Sequence, residues 1–292
     1  ASQSTQFNNA IEENKSLKKE VHSLKKKNTN LKKKINRLEK KSDKLDSSFN
    51  DLKSFVINGM MDGNDSNLNY CPICGRPNEF LPHGIKQRPN SRCPYCNSLE
   101  RHRFVYLVFL NKLEKLFNQD EVKVLHFAPE RVIYNIFSSM DNIDYYPVDF
   151  APERYGHIKN IIQESVNMEN IPFEDDTFDL VYNSHVLEHV ADDNKAMREL
   201  YRVVKKGGVC IVIVPMSKDY ETLEKEEYNT PELRLKYYYQ EDHLRLYGSD
   251  IKDKLESVGF EVELITSSDL IPNDSDLNLM NIKNRKLFLC RK

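Results

Sequence analysis

Four of the six cysteines are spaced as metal ligands. They form two C-x-x-C pairs, Cys71 with Cys74 and Cys93 with Cys96, which are separated by residues 75–92. Two such pairs at this distance are typical of a zinc site in which four thiolates fill a tetrahedral shell. Because no position is left for water, the pattern predicts a structural zinc ribbon and not a catalytic metal.

Three histidines could act as general bases. His185 and His189 follow an apolar, strand-like run, and His243 lies within residues 217–248, which are rich in charge and tyrosine. A neutral imidazole can take up a proton near pH 7, so we predict His185, His243 and His189 as candidate catalytic residues. Each has a structural alternative, which for His189 is a position at the start of a helix.

Alternating segments from residue 122 onward would position these histidines. Strands are predicted at 122–127, 145–148, near 161, and at 180–183, 209–214, 260–265 and 286–290. Helices are predicted at 129–140, 192–204 and 249–257, with a turn at 205–208, and a further helix capped by Ser98 precedes the first strand. This order predicts a mostly parallel, doubly wound, Rossmann-like α/β sheet that binds ligands at the carboxyl ends of its strands.

Several motifs identify a family. Residues 167–190 read NMENIPFEDDTFDLVYNSHVLEHV and residues 198–208 read RELYRVVKKGG. With this spacing, residues 122–292 resemble the class I S-adenosylmethionine-dependent methyltransferases. Residues 88–103 (RPNSRCPYCNSLERHR), 126–130 (HFAPE) and 239–248 (YQEDHLRLYG) also resemble a bacterial subgroup with a preceding zinc ribbon.

The resemblance implies S-adenosylmethionine as the cofactor and assigns roles to particular residues. Asp149 would hold the ribose hydroxyls, since a carboxylate at a strand end can accept two hydrogen bonds. Asn167 would meet the adenine amino group, and Met168 would offer its backbone amide to the ring. Ser184 and His185 would lie beside the methionine part and the transferred methyl group.

The loop after the first strand departs from the family pattern, which is usually acidic and rich in glycine. Here His126 stands where an aspartate is common, and no glycine follows. One interpretation is a working variant in which His126, Ala128 and Glu130 line the cofactor and Glu130 supplies the carboxylate. The other is a degenerate cofactor site.

The resemblance to the subgroup implies O-methylation of a glycan or sugar-like hydroxyl, with a substrate lid near 217–248. The absence of an N-P-P-Y motif and of a Pro-Cys loop argues against methylation of a nucleic-acid base. Two alternatives remain open. The zinc ribbon could bind RNA for an RNA methyltransferase, or the chain could be a non-catalytic coiled-coil scaffold with a degenerate domain.

Residues 7–56 contain neither Pro nor Gly and follow a heptad repeat. One core position holds Leu17, Leu24, Leu31, Leu38, Leu45 and Leu52, and the other includes Asn14 and Asn28. This pattern predicts an N-terminal coiled-coil helix over 1–58 and a parallel homodimer, with a single solvated helix as the alternative. The zinc ribbon would then cover 59–103 and the methyltransferase domain 104–292. A dimeric rod could dock the enzyme to a glycan-assembly protein.

The formal net charge of −2 hides an uneven distribution. Residues 1–58 hold 14 Lys and Arg against 7 Asp and Glu, so the rest of the chain carries −2 − 7 = −9. The negative charge of residues 59–292 disfavours binding to a large area of nucleic acid.

No apolar run approaches the roughly 20 residues that span a bilayer, and the first twenty residues lack the apolar core of a signal peptide. We therefore expect no transmembrane segment and a cytoplasmic protein.

Overall fold

The structure, a computed structural model, describes Lys25, Lys32 and residues 68–84, 87–156 and 158–292. Contacts divide the chain into two units, residues 1–66 and residues 67–292. The predicted coiled coil over 1–58 lies outside the described residues, apart from Lys25 and Lys32. The parallel homodimer therefore stays a prediction.

The first cysteine pair belongs to one small hairpin, and the second pair directly follows another. Strands β1 (Asn69–Cys71) and β2 (Arg76–Asn78) are antiparallel, as are β3 (Leu81–His83) and β4 (Arg88–Arg92). Both C-x-x-C turns close in the same way, because the residue after each pair adopts a positive φ and donates its N–H to the carbonyl of the first cysteine. Gly75 (φ 65°) bonds Cys71 at 2.9 Å, and Asn97 (φ 59°) bonds Cys93 at 3.0 Å. Gly and Asn are the residues that tolerate this left-handed conformation best.

The α-helices of the second unit begin after the ribbon. They are α1 (Glu100–Lys112), α2 (Glu114–Phe117), α3 (Arg131–Ser138), α4 (Asp193–Val203), α5 (Pro231–Tyr238), α6 (Ile251–Ser257), α7 (Ser267–Leu270) and α8 (Asp274–Leu279). Helix α4 begins where the sequence predicts, because the side chain of Asp192 accepts the N–H of Lys195 at 2.9 Å. Short 3-10 turns cover Pro152–Tyr155 and Leu187–His189.

Six strands form the main sheet. They are β5 (Val122–Phe127), β6 (Ile143–Val148), β7 (Phe178–Ser184), β8 (Val204–Ile213), β9 (Glu261–Thr266) and β10 (Lys286–Arg291). Their spatial order is β6-β5-β7-β8-β10-β9, and only β10 runs antiparallel to its neighbours. The prediction of a mostly parallel, Rossmann-like α/β sheet is confirmed. The strands read as near-continuous apolar runs because both faces of the sheet are buried, as the successive buried residues along β7 and the second half of β8 show.

The predicted strand near residue 161 is wrong. Residues 158–162 run beside β6, and Ile162 donates its N–H to the carbonyl of Pro147 at 3.0 Å. Pro147 has no N–H with which to donate a second hydrogen bond to residues 158–162, so these residues do not form a regular strand ladder with β6. The sheet therefore ends at β6.

Two other local predictions also need correction. Residues 205–208 are not a separate turn, because β8 begins at Val204 and includes them. They interrupt the regular pairing of β8 with β7, and Gly207 among them has a φ of 78°. Ser98 does not cap α1, whose N-cap is Leu99. The hydroxyl of Ser98 instead lies 3.2 Å from the sulfurs of both Cys71 and Cys96.

A buried arginine fastens the ribbon to the sheet domain. The side chain of Arg103 is fully buried on α1, with its guanidinium 3.9 Å from the ring centroid of Phe80. It donates to the carbonyls of Ser98 at 2.9 Å, Ser91 at 3.2 Å and Met280 at 2.7 Å. Ribbon, α1 and the C-terminal segment thus share one buried guanidinium, so the ribbon is held in a defined position on the sheet domain.

Candidate functional site

Three neighbouring parallel strands end in one row. Phe127 of β5 pairs with Val148 of β6 and with Asn183 of β7. The residues that follow these partners are Ala128, Asp149 and Ser184. They lie side by side at the carboxyl edge of the sheet, which is where sheets of this class bind ligands.

The loop after β5 turns sharply without a glycine. Ala128 adopts a φ of 50° and donates its N–H to the carbonyl of Val148 at 3.0 Å. A left-handed conformation at a residue other than glycine costs about 1 kcal/mol, so neighbouring contacts must hold this one in place. Helix α3 begins directly behind the loop at Arg131.

Glu130 provides those contacts. Its carboxylate accepts hydrogen bonds from Arg101 Nε at 2.7 Å and lies 2.9 Å from Nε2 of His102, both on α1. Tyr182 on β7 places its hydroxyl 3.4 Å from the second oxygen. Burial disfavours the charge of Glu130, but the hydrogen bonds of His102 and Arg101 and the positive charge of Arg101 outweigh it and lower the pKa of this carboxyl. Glu130 is therefore an ionised anchor between α1 and the loop.

His126 is fully buried on β5. Its Nδ1 lies 2.7 Å from the hydroxyl of Tyr145, and its ring packs edge-on against Tyr182 with centroids 4.8 Å apart. Burial lowers the pKa of His126 to about 3, so the imidazole is neutral. The side chain belongs to an aromatic layer, and any contact of His126 with a cofactor would use its backbone.

Asp149 and Asn167 are close to one another along the edge of β6. The carbonyl of Asp149 accepts the N–H of Val166 at 2.9 Å, which draws the following residues, Asn167 and Met168, toward the strand end. Asp149 uses one carboxylate oxygen to accept the N–H of Ala151 at 2.7 Å. Asn167 likewise accepts the N–H of Glu169 with its side-chain oxygen at 2.9 Å, which leaves its amide NH₂ to face a ligand.

The end of β7 carries a histidine next to a buried carboxylate. His185 has a φ of 57°, and its side chain is 41% exposed. Its Nδ1 lies 3.1 Å from a carboxylate oxygen of Glu188, which is fully buried. Beside it, the hydroxyl of Ser184 is buried and has no hydrogen-bond partner among the described residues. The strand end thus offers one oriented imidazole and one buried hydroxyl.

His189 and His243 lie close to the same carboxylate. Their rings meet edge to face with centroids 4.8 Å apart, and His243 Nε2 is 4.0 Å from Glu188. His243 is buried, with Nδ1 2.9 Å from the carbonyl of Tyr238. Burial lowers the pKa of His243, so it is neutral at pH 7. The three predicted catalytic histidines are therefore neighbours.

Arg245 holds the segment that carries His189. It is buried, and its guanidinium donates to the carbonyls of Leu187 at 3.1 Å, Val190 at 2.6 Å and Ala191 at 3.0 Å. Glu224 pairs with the same guanidinium at 2.8 Å. Residues 217–248 therefore contact the segment that follows β7.

The four cysteine sulfurs form one cluster. Cys71 and Cys96 are 3.5 Å apart, Cys74 and Cys93 are 3.7 Å apart, and all four sulfurs lie within 4.8 Å of one another. Sulfurs at the corners of a tetrahedron with metal–sulfur bonds of about 2.3 Å would be about 3.8 Å apart. The cluster therefore has the size of a four-thiolate metal site.

Sequence reasoning missed the contact of Arg101 and His102 with Glu130. These residues belong to two motifs, at 88–103 and 126–130, but the sequence of neither motif indicates that the two are in contact. No feature of the sequence indicated the contact between the hydroxyl of Tyr145 and His126.

Among the described residues, no helix is both long and apolar enough to cross a membrane.

Comparisons with known proteins show similarity to methyltransferases. Residues 136–212 match the family model described as a methyltransferase domain. A ubiquinone/menaquinone biosynthesis C-methyltransferase of Escherichia coli O1:K1 is 41% identical over 73 residues, 23% of this chain and 29% of the relative. The protein of that name from Marinomonas sp. is 31% identical over 121 residues, 36% of this chain and 48% of the relative. The chain thus spans less than half the length of these relatives.

Solved structures with a similar fold include a SAM-dependent methyltransferase from Archaeoglobus fulgidus. It is 14% identical, with a TM-score of 0.43, and the match covers 64% of this chain and 93% of that one.

Proposed function

Since the chain carries a class I S-adenosylmethionine-dependent methyltransferase domain, we propose that it transfers a methyl group from S-adenosylmethionine to a nucleophilic acceptor. One observation carries the proposal, namely the row of Ala128, Asp149 and Ser184 at the ends of three adjacent parallel strands. A cofactor laid across this row would have its ribose near Asp149 and its sulfur near Ser184.

The residues present fit such a cofactor. Asp149 is partly exposed, so its carboxylate can accept from ribose hydroxyls, while the amide NH₂ of Asn167 and the backbone of Met168 would contact the adenine ring. The unpartnered hydroxyl of Ser184 is a buried polar group that a ligand atom would satisfy. The backbone of His126 and Ala128 would complete the methionine side, while Glu130 would fix the loop from behind.

When bound, S-adenosylmethionine supplies a methyl group on a positively charged sulfur. We assign His185 as the general base, because Glu188 engages Nδ1 and leaves Nε2 for the acceptor. Nε2 of His185 would accept the proton that the acceptor loses as it takes up this methyl group. The protein's main task is alignment of the two reactants.

For the acceptor, we propose a hydroxyl of a glycan or other sugar-like molecule. The lid supports it with a stacked pair of tyrosines, Tyr228 and Tyr237, whose ring centroids are 3.9 Å apart, and with the exposed ring of Tyr239. Aromatic faces of this kind suit the apolar face of a sugar ring. A second candidate is methylation of a ring carbon, because the relatives named above are C-methyltransferases.

We also propose that Cys71, Cys74, Cys93 and Cys96 bind a structural zinc ion within residues 59–103. The sulfur separations support it, as does the hydroxyl of Ser98, which lies just before α1 and 3.2 Å from the sulfurs of Cys71 and Cys96. For residues 1–58 we propose a parallel coiled-coil dimer that presents the enzyme to a glycan-assembly protein, in the cytoplasm. Six leucines at one heptad position support the dimer.

Methyl transfer from labelled S-adenosylmethionine tests the function. Purified full-length chain is incubated with a panel of sugars, oligosaccharides, quinol-type rings and RNA, and label in each product is counted. We expect label in a sugar hydroxyl. Label in a ring carbon would support the second candidate, and label in RNA would favour the zinc ribbon as an RNA-binding module. Tight cofactor binding without transfer to any class would contradict the acceptor proposals while leaving the cofactor site intact.

A further inference from the structure

Glu188 is a buried carboxylate without a permanent cation beside it. Its side chain has no exposed surface, and within the described part of the chain its ion pairs are with His185 and His243 only. The nearby guanidinium of Arg245 is directed at main-chain carbonyls and at Glu224. One oxygen of Glu188, Oε2, has no hydrogen-bond partner among the described residues. A buried carboxylate in this state is costly unless a cation joins it.

His243 presents a nitrogen that suits a metal ion. Its Nδ1 is 2.9 Å from the carbonyl oxygen of Tyr238, which can only accept a hydrogen bond, so Nδ1 carries the ring proton. The other nitrogen, Nε2, then holds a free lone pair and faces Glu188 at 4.0 Å. Metal-binding histidines usually donate their other ring N–H to a main-chain carbonyl or a carboxylate, which fixes the tautomer in this way.

His189 is arranged in the same manner. Its Nδ1 faces Asp242, 3.3 Å from the carbonyl oxygen and 3.4 Å from the carboxylate, and both of these groups accept hydrogen bonds. The remaining nitrogen is therefore free to bind a metal ion. One ligand atom each from Glu188, His189 and His243 lies within 4.8 Å of the others. The side chain of His189 is 30% exposed, which gives an ion a way in.

We propose that Glu188, His189 and His243 form a second metal site, separate from the four cysteines, that binds a divalent transition-metal ion such as Zn²⁺ or Co²⁺. Two imidazoles and one carboxylate are a donor set for these ions, and three protein ligands leave a coordination position open. Such an ion would lower the pKa of an acceptor hydroxyl that binds it, and His185 would take up the proton. This role rests on the proposed function, whereas metal binding itself does not.

Cobalt titration tests the site in full-length protein whose cysteine cluster is already loaded with zinc. We expect one further Co²⁺ per chain, with the weak visible absorption of a nitrogen and oxygen site and no thiolate-to-cobalt charge-transfer band. His189→Ala should weaken this binding at least about tenfold, and His243→Ala should do the same. His83→Ala, a histidine on β3 outside the cluster, is the matched control and should bind Co²⁺ as the unmodified protein does.

The variants also separate the possible failures. His189 is partly exposed, so its replacement should leave folding intact even where loss of buried His243 does not. Absence of a second Co²⁺, or binding that is unchanged in His189→Ala, would overturn the metal site. If Co²⁺ binds as expected but no acceptor is methylated, the metal site stands and the proposed function fails.

Discussion

Arg101 donates a hydrogen bond from Nε to the carboxylate of Glu130 at 2.7 Å, and so joins the helix that follows the cysteine cluster to the loop that follows the first strand of the sheet. The neighbouring His102 binds the same oxygen at 2.9 Å. This connection explains how a loop without glycine can keep Ala128 in a left-handed conformation, because charged hydrogen bonds hold the loop from behind. It also ties the cysteine module to the candidate cofactor site.

Glu130→Gln should reduce stability most at neutral pH. The pKa of Glu130 is lowered in the folded chain despite its burial, because His102 and Arg101 favour the ionised form. Ionised Glu130 therefore stabilises the folded chain at pH values above the pKa of an unfolded glutamate, about 4.3. This stabilisation is lost progressively as the pH falls below that value. We expect the free energy of unfolding to drop by about 2 to 4 kcal/mol at pH 7 and by progressively less toward pH 3.

Chemical denaturation at a series of pH values measures this effect. Glu79→Gln, at an exposed position of the ribbon, serves as the control and should follow the unmodified protein at every pH. If Glu130→Gln lost equal stability at pH 3 and pH 7, the ionised anchor would be refuted.

Loss of the ribbon metal should weaken cofactor binding at a distance. Cys74→Ser removes one thiolate, so we expect zinc to fall from one equivalent per chain in metal analysis and residues 68–103 to lose structure. Because Ser98 and α1 connect the cluster to Glu130, the affinity for S-adenosylmethionine should fall about tenfold or more.

Cys210→Ala is the control for this prediction, since Cys210 lies inside β8 and away from the cluster. Zinc content should then stay at one equivalent. An unmodified protein that contains no zinc, or Cys74→Ser with unaltered cofactor affinity, would contradict the coupling.

The sequence predicted the sheet well because parallel strands covered on both faces must be apolar along their whole length. It failed at the strand near 161, where a regular ladder depends on the partner strand and the partner residue is Pro147. The cysteine cluster and the strand-end row were also predictable, since their motifs fix local spacing. The contacts of Glu130 with Arg101 and of His126 with Tyr145 were not, because they join segments whose approach is decided by packing.

His185→Asn should impair the chemical step and spare cofactor binding. Asparagine tolerates the positive φ of this position, so the backbone at the end of β7 should persist. Removal of a general base lowers kcat by about 10² to 10⁴. We expect this loss in steady-state assays, with the Kd for S-adenosylmethionine changed less than about twofold, and with His83→Asn as a control of normal activity. An unchanged kcat would exclude His185 as the base.

Gly248→Ala should destabilise the segment of residues 217–248. A Cβ at this position would stand 2.5 Å from the carbonyl carbon of Glu221, where the two backbones pass each other in direct contact. Backbone atoms cannot rotate away as a side chain can, so we expect a loss of about 1 to 3 kcal/mol in the free energy of unfolding. Gly156→Ala, which meets no atom within 4 Å, should change stability by less than about 1 kcal/mol. Equal effects at the two positions would contradict the close approach.

The central claim is that the row of Ala128, Asp149 and Ser184 binds S-adenosylmethionine, and calorimetric titration of the full-length chain tests it most directly. We expect micromolar binding of the cofactor and of its demethylated product. Binding should be lost in Asp149→Ala and retained in Asp144→Ala, a control at the opposite end of β6. Unmodified protein that binds neither compound, or Asp149→Ala that binds both normally, would contradict the claim.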